Sequence, residues 1–244
     1  MPQERSRPPL HPDARCFSCP SRERTEWCTL DGDDLELLAR SKVCNVYAPG
    51  QVIFYEGNAC LGVHCVESGT VALRRSDGRG GAVLSELVGP GRTLGYRAYF
   101  AGRGYAATAE ALTECRICFV DRAAVRSLLE RRPTVGHAFL RRMADDHDVS
   151  EAARVRALTL PLRARTAHLL LAMKDRSSTV DDDGTLRVDL PLSRKDLAAM
   201  LGARPETLSR TIRAFADEGI ARFEARRVVV PDLDALIDQL EREE

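Results

Sequence analysis

The 244-residue sequence lacks any long apolar run, and no stretch approaches the roughly 20 residues that a helix needs to cross a bilayer. Aromatic residues make up only 5% of the chain, with a single tryptophan. Net charge is also absent, because 36 Lys and Arg balance 36 Asp and Glu. The missing apolar run argues against a membrane protein, and the balanced charge argues against non-specific binding of polyanions.

Catalytic motifs are missing as well. The sequence contains no P-loop, no Gly-x-Ser-x-Gly turn, and no His and Asp pair beside a candidate nucleophile. Its first residues, MPQERSRPPLHPDARC, are polar and rich in proline, without the apolar segment of a signal peptide. We therefore expect a cytoplasmic protein that is not an enzyme.

Cysteine, in contrast, is plentiful, with eight in the chain. In a reducing cytoplasm this favours metal or redox chemistry over structural disulfides. Cys16, Cys19 and Cys28 lie in ARCFSCPSRERTEWC, a polar stretch without apolar periodicity, so packing does not explain them. Thiolates collected from such a segment and from one distant strand, at Cys118, suit a soft metal centre.

The pattern of the chain divides it into four segments. Residues 1–30 are predicted to form an extended, cysteine-containing arm, because their prolines oppose regular structure. Residues 31–132 begin with a short helix and continue with short β-type runs separated by glycine, which predict an antiparallel roll. A helical run follows at 133–160, and residues 161–244 show the strands and helices of a winged helix-turn-helix. The predicted fold class is α+β.

The helix predicted at 133–160 carries an incomplete apolar seam. Its apolar positions are Phe139, Met143, Val149, Ala153, Ala157 and Leu160. The gap in the seam contains Asp145, Asp146 and Asp148. We interpret the seam as a coiled-coil dimer interface in which these acids repel one another at the centre. A helix packed on its own domain, with the charges solvated, is the alternative.

Two helices in SRKDLAAMLGARPETLSRTIRAFADEGI are joined by a short glycine-bearing turn, which is the helix-turn-helix arrangement. Ser193 is placed to cap the first helix, and Gly202 is placed to end it. The second helix presents side chains of the types that read bases in a major groove: Glu206, Ser209, Arg210 and Arg213. Residues 190–228 hold eight Lys and Arg against five acids, a net charge of +3, and FEARRVVVP can form a wing that touches phosphates. This segment predicts DNA binding.

Together, the glycine-punctuated roll, the long helix and the C-terminal helix-turn-helix resemble the CRP/FNR family of bacterial transcription regulators. The most specific matches are VESGTVAL, LPLSRKDLAAMLG and PETLSR. Glu206, Ser209 and Arg210 resemble the FNR-type reader, which implies a homodimer on double-stranded DNA at a palindrome close to TTGAT-N4-ATCAA. The resemblance also implies RNA polymerase as a partner.

The best-known ligand of this family is cyclic AMP, which a glutamate and an Arg-Ser pair hold. In this sequence Tyr96 stands where the glutamate would be, and Tyr105, Ala106 and Ala107 replace the Arg-Ser pair. A carboxylate for the ribose and a cation for the phosphate are both missing from these positions. We therefore expect no cyclic nucleotide as effector.

The resemblance implies a [4Fe–4S] cluster, because FNR proteins hold one with three N-terminal cysteines and one from the roll. Cys16 and Cys19 have the expected gap of two residues, and Cys118 follows a matching segment in ALTECRIC. Cys28 departs from the best-known pattern, since eight residues rather than five separate it from Cys19. The predicted ligands are Cys16, Cys19, Cys28 and Cys118, and the predicted function is sensing of oxygen or nitric oxide.

Other cysteines compete for these roles. Residues three apart on a strand point to opposite faces, so only one of Cys115 and Cys118 can face the arm. The remaining cysteines are interpreted as small core residues of the roll: Cys44, Cys60 and Cys65.

The alternative function is a regulator of the same family whose sensor domain is stapled by zinc or holds no metal. Such a protein would respond to another redox signal or to haem. His64 and His147 are the candidate haem ligands, although a lone histidine in a β-type run usually has a structural role.

Overall fold

The computed structural model describes residues 16–78, 80–181 and 183–240, and for residues 175–177 it describes the backbone alone. Half of the predicted arm, residues 1–15, therefore lies outside the described part, as do residues 241–244 of the predicted C-terminal domain.

The described part of the arm is folded against the roll. It contains two short 3-10 helices, Arg22–Arg24 and Glu26–Thr29. Trp27 is only 2% exposed, and its ring meets that of Phe139 edge-on with centroids 5.4 Å apart. The prediction of an extended arm is wrong for these residues. Although the segment is mostly polar, the single indole of Trp27 buries enough apolar surface to hold it against the rest of the protein.

A helix, α1 (Gly32–Ser41), leads into a roll of two four-stranded antiparallel sheets. The strands are β1 (Lys42–Tyr47), β2 (Val52–Phe54), β3 (Gly62–Ser68), β4 (Val71–Ser76), β5 (Ala82–Val88), β6 (Thr93–Leu94), β7 (Thr108–Ala111) and β8 (Cys115–Asp121). One sheet has the order β1-β8-β3-β6 and the other has the order β2-β7-β4-β5. Their inward side chains, among them Val66, Val71 and Ile117, form a core between the sheets.

The turn between β3 and β4, within VESGTVAL, depends on Gly69. Its φ of +87° lies in the left-handed region, and a Cβ at this position would collide with the backbone oxygen of Glu114. Only glycine combines this conformation with so close an approach to a neighbouring chain segment.

Three helices cover the roll and continue the chain: α2 (Tyr96–Ala101), α3 (Arg122–Arg131) and α4 (Pro133–Thr159). Asp121 caps α3 by accepting hydrogen bonds from the backbone N–H groups of Ala123 and Ala124. Helix α4 is buried near its start, at Val135 and Phe139, and is largely exposed further on. Within the described ranges, no helix has both the length and the apolar character to cross a membrane.

The C-terminal part combines four helices with a small sheet of order β11-β12-β10-β9. The helices are α5 (Leu162–Ser177), α6 (Arg194–Met200), α7 (Pro205–Asp217) and α8 (Leu233–Ile237). The strands are β9 (Ser178–Val180), β10 (Leu186–Asp189), β11 (Arg222–Phe223) and β12 (Arg227–Val230). The predicted α+β fold, a roll, a long helix and a winged helix-turn-helix, is confirmed.

Arg74 on β4 joins the roll to α6. Its Nη2 lies 3.2 Å from Oδ2 of Asp196, and its Nη1 donates to the other carboxylate oxygen. Its Nε lies 2.7 Å from Oε2 of Glu110. The bidentate contact between Arg74 and Asp196 holds the first helix of the helix-turn-helix against the roll.

Phe139→Ala is expected to lower the free energy of unfolding by about 3–5 kcal/mol, because it removes a buried ring beneath Trp27 and leaves a cavity. Arg141→Ala, on the exposed side of the same helix, is the control and should change the free energy by less than about 0.5 kcal/mol. Urea denaturation followed by tryptophan fluorescence measures both, since Trp27 is the only tryptophan in the chain. Equal losses in the two variants would contradict the packing of the arm on α4.

Candidate metal centre and nucleic-acid interface

Three cysteines form a row across neighbouring strands of the roll. Cys118 on β8 is paired directly with Cys44 on β1 and with Cys65 on β3. Side chains of directly paired residues lie on the same face of a sheet. The three sulfur atoms therefore share one face of the sheet.

The arm brings two further thiols to this face. Cys16, which is 4% exposed, and Cys19 line one cavity together with Cys65 and Cys118. Three of the four predicted ligands, Cys16, Cys19 and Cys118, are thus brought together. Burial raises the pKa of the Cys16 thiol, and the neighbouring Lys42 opposes this shift.

Cys28 is placed differently from the other predicted ligands. It lies exposed on the second 3-10 helix and is not among the residues that line the cavity. Its backbone carbonyl accepts a hydrogen bond from the Arg22 guanidinium at 3.4 Å. The assignment of Cys28 as a ligand stays a prediction from the sequence.

Cys118 is joined to Cys44 by a disulfide in this structure. The interpretation of Cys44 as a core residue is wrong, because it is only half-buried on an edge strand of its sheet. Sequence reasoning missed this pairing, since the register between β1 and β8 determines it. A metal ligand must be a thiolate, so Cys118 can bind metal only after this disulfide is reduced.

The remaining cysteines have distinct environments. Cys60 and Cys115 are buried between the two sheets, which confirms the core assignment of Cys60 and leaves only Cys118 of its pair facing the arm. Cys65 is half-buried and lines the cavity, and Nε1 of Trp27 donates to its sulfur at 3.1 Å. Burial raises the pKa of the Cys65 thiol to about 12, so this thiol is protonated at neutral pH.

His64 belongs to an aromatic cluster on the roll. Its ring centroid lies 4.8 Å from that of Phe119 and 5.0 Å from that of Phe54. Burial lowers the pKa of His64 to about 4, so the ring is neutral at pH 7. These contacts give His64 a packing role, while His147 lies exposed on α4.

A second cavity, of about 200 Å³, has Tyr96, Ala106 and Ala107 in its lining. Asp146 of α4 reaches into it, and its carboxylate accepts hydrogen bonds from Arg92, from Tyr96 and, at 3.1 Å, from Arg97. Burial by itself would raise the pKa of Asp146, but the bonds from Tyr96 and the arginines outweigh it and lower that pKa.

The interpretation of Asp146 as a repelling charge at a dimer seam is therefore wrong. Its side chain is 9% exposed and is held by the roll of its own chain. Phe139, which we placed in the seam, also packs on its own domain. The sequence did contain a signal for this arrangement, because Val135, Phe139, Arg142 and Asp146 fall at helical spacing on one face.

The helix-turn-helix begins with a cap on α6. The hydroxyl of Ser193 accepts a hydrogen bond from the backbone N–H of Asp196 at 3.0 Å, as predicted. Gly202 follows α6 with a φ of +60°, a conformation that ends a helix at little cost in glycine. On α7, Leu208 and Phe215 are buried and fix the rotation of the helix about its axis.

The opposite side of α7 is exposed and carries all four predicted DNA-contacting residues: Glu206, Ser209, Arg210 and Arg213. Ser209 also donates to the backbone carbonyl of Pro205 at 2.8 Å. In the wing, Arg226 lies exposed between β11 and β12, and Arg227 is paired with Asp189 at 3.0 Å. The face of α7 and the wing place polar and basic groups where a duplex can meet them.

A roll, a long helix and a winged helix-turn-helix with an exposed, polar second helix define a DNA-binding transcription regulator. The Crp-like helix-turn-helix domain matches residues 164–239, and the cyclic nucleotide-binding domain matches residues 44–132. Together the two matches cover more than half of the chain. The chain belongs to the CRP/FNR family of transcription regulators.

Relatives from different branches of the family are about equally similar to this chain. The transcriptional activator protein FnrL of Cereibacter sphaeroides is 28% identical over 237 residues, which covers 92% of this chain and 91% of FnrL. A CRP-like cAMP-activated global transcriptional regulator of Mycobacterium tuberculosis is also 28% identical, over 77% of this chain and 83% of its own length. FixK2 of Bradyrhizobium japonicum shares the fold, with a TM-score of 0.72, 22% identity, and coverage of 83% of this chain and 99% of FixK2.

Asp146→Asn is expected to lower the free energy of unfolding by about 1–3 kcal/mol at pH 7, because it removes the charged acceptor of three hydrogen bonds. The pKa of Asp146 lies below its ordinary value of 3.8, so the carboxylate stabilises the fold above that pH. This contribution disappears as the pH falls through the lowered pKa, and the difference between wild type and variant should shrink accordingly.

Urea denaturation at pH 7 and at about pH 3 measures this dependence. Asp145→Asn is the matched control, since Asp145 is adjacent and exposed. A loss in Asp146→Asn that stays the same at both pH values would show that the carboxylate charge is not the stabilising feature.

Proposed function

We propose that this chain is an FNR-type regulator that senses oxygen, with nitric oxide as a second signal, through a [4Fe–4S] cluster. It acts as a homodimer on a palindromic DNA site, with RNA polymerase as a further partner and without a cyclic nucleotide. The observation that carries the proposal is the convergence of Cys16, Cys19 and Cys118 on one cavity beneath an arm that contacts α4.

The donor set at this cavity fits an iron–sulfur centre, because cysteine thiolates are its usual ligands. Cys16, Cys19 and Cys118 would hold the cluster, and Cys28 is the fourth ligand proposed from the sequence. When bound, the cluster supplies an oxygen-labile redox group at this position. Zinc would use the same thiolates, so iron and sulfide content must separate the two metals.

Side chains of the arm connect this cavity to α4. The carboxylate of Glu26 accepts a hydrogen bond from Nε of Arg142 at 2.8 Å. The Arg142 guanidinium also donates to the backbone carbonyl of Arg24 at 3.1 Å. Together with the packing of Trp27 on Phe139, these contacts make the position of the arm and the position of α4 interdependent. Ordering of the arm therefore favours one position of the helix.

The side of α4 that faces away from the roll supports dimer formation. It exposes apolar side chains on one face of the helix: Leu140, Met143, Val155 and Leu158. The middle of the same face is occupied by His147, Glu151 and Arg154. A second copy of this chain would cover the strip, and its polar centre keeps the dimer weak until the arm is ordered. In that dimer, two α7 helices enter major grooves one helical turn apart.

The cofactor is tested by purification without oxygen, followed by absorbance spectroscopy and assays of iron, sulfide and zinc. We expect about four iron and four sulfide per subunit, the composition of a [4Fe–4S] cluster. Cys118→Ala should lose both the cluster and specific DNA binding. Zinc without iron, or full operator binding by Cys118→Ala, would contradict the proposal.

Cys28→Ser and Cys65→Ser form a matched pair for the fourth ligand. We expect Cys28→Ser to lose iron and sulfide, whereas Cys65→Ser should retain them, because Cys65 already accepts a hydrogen bond from Trp27. The same assays measure both variants. The reverse result would assign the fourth position to Cys65.

Arg210→Ala is expected to weaken binding to the palindrome by about 1–3 kcal/mol and to relax selectivity at one base pair, since Arg210 is proposed to read a base edge. Arg226→Ala in the wing is the control and should weaken binding to all sequences alike, with a salt dependence reduced by about one phosphate contact. Fluorescence anisotropy with operator and scrambled duplexes measures both. Uniform weakening in Arg210→Ala would make Arg210 a phosphate contact.

A further inference from the structure

The disulfide between Cys44 and Cys118 involves one residue that the proposed cluster needs and one that it does not. Cys44 lies on the edge strand β1, directly opposite Cys118. Direct cross-strand pairing brings Cβ atoms to about 4.5–5.5 Å, so the two thiols meet without rearrangement of the sheet. Cys44 is outside the predicted ligand set, yet it lies directly beside one of its members.

Cys65 provides an internal comparison, because it is paired with Cys118 from the opposite side. Its sulfur accepts a hydrogen bond from Nε1 of Trp27 at 3.1 Å and lies 3.9 Å from the hydroxyl of Thr93. These contacts hold the Cys65 sulfur within the packing of the arm. Cys44 is half-buried, as Cys65 is, but it lies on the edge strand β1, whereas Cys65 lies on the interior strand β3. Of the two neighbours of Cys118, Cys44 is the one whose sulfur the structure joins to that of Cys118.

We infer that Cys44 and Cys118 form a redox-sensitive disulfide that removes Cys118 from the metal-ligand set. A hydroperoxide therefore holds the cluster-free chain in a form that takes up little iron until a thiol reductant restores it. The inference rests on the proposed function in one respect, namely that Cys118 is a cluster ligand. Formation of the disulfide itself depends only on the pairing of β1 with β8.

The chemistry requires hydrogen peroxide, or another hydroperoxide, as the oxidant. The Cys44 thiolate attacks one peroxide oxygen, so that an S–O bond forms, the O–O bond breaks and hydroxide leaves. The Cys118 sulfur then attacks the sulfenic sulfur of Cys44, so that the S–S bond forms and the S–O bond breaks. Water leaves with the proton of the Cys118 thiol. The hydroxide takes up the proton that the Cys44 thiol released when it ionised, so that in total two thiols lose two electrons and one hydrogen peroxide becomes two waters. Exchange with a dithiol reverses the oxidation.

The test uses the full chain, purified without oxygen, stripped of metal with a chelator and fully reduced. It is treated with stoichiometric hydrogen peroxide, free thiols are alkylated, and the digest is examined by mass spectrometry. We expect a Cys44–Cys118 cross-linked peptide in wild type and in Cys65→Ser, and none in Cys44→Ser. Absence of this peptide from oxidised wild type, or pairing of Cys118 with Cys65, would overturn the inference.

Reconstitution with ferrous iron and sulfide provides a second measurement on the same samples. Oxidised wild type should take up on the order of tenfold less iron than reduced wild type, because one thiolate ligand is missing, and dithiothreitol should restore uptake. Cys44→Ser should take up equal iron before and after peroxide. A block in Cys44→Ser that dithiothreitol reverses to the same extent would show that another cysteine pair is responsible.

The two proposals fail in different ways. If reduced wild type takes up no iron and sulfide, the proposed function fails, while the cross-linked peptide still decides whether the disulfide forms. If reduced wild type loads normally and the peptide is missing, the disulfide inference alone is wrong.

Discussion

The packing of Trp27 on Phe139 is the contact on which the organisation of the molecule depends. Trp27 lies in the arm and Phe139 lies in α4, and both are buried in the same core as the first helix and strand β3. The arm, the roll and the long helix therefore share one set of buried side chains. An event in the arm can reach α4 through direct contact, without a separate relay of residues. The ion pair between Glu26 and Arg142 adds an electrostatic contact between the arm and α4.

The fold could be predicted from the sequence because its signals are local. Glycine positions and short β-type runs marked the roll, and Ser193 and Gly202 marked the ends of α6. The exposed residues of α7 followed from the burial of Leu208 and Phe215 at helical spacing. Each of these features depends on residues close together in the chain, where propensity and periodicity carry information.

The site was only partly predictable, because its chemistry depends on contacts between distant residues. The predicted ligands Cys16, Cys19 and Cys118 line one cavity, yet the row from Cys44 to Cys65 follows from strand register, which the sequence does not display. The sequence pattern places Asp146 in an intermolecular seam, whereas the arginines that bind it come from the roll. A charge on an amphipathic helix shows which face it occupies, but not which partner covers that face.

The carboxylate of Asp146 occupies a place in the cavity next to Tyr96 that an anionic ligand would otherwise take. It neutralises Arg92 and Arg97 within the cavity next to Tyr96, so the roll carries its own anion on a neighbouring helix. Because this carboxylate is tethered, it competes for the two arginines at an effective concentration on the order of millimolar. A dissolved anion can replace it only at a higher concentration or with a higher affinity. Any anion that did displace it would release α4 from the roll. An anion that bound Arg92 and Arg97 in place of Asp146 would therefore also change the position of the helix.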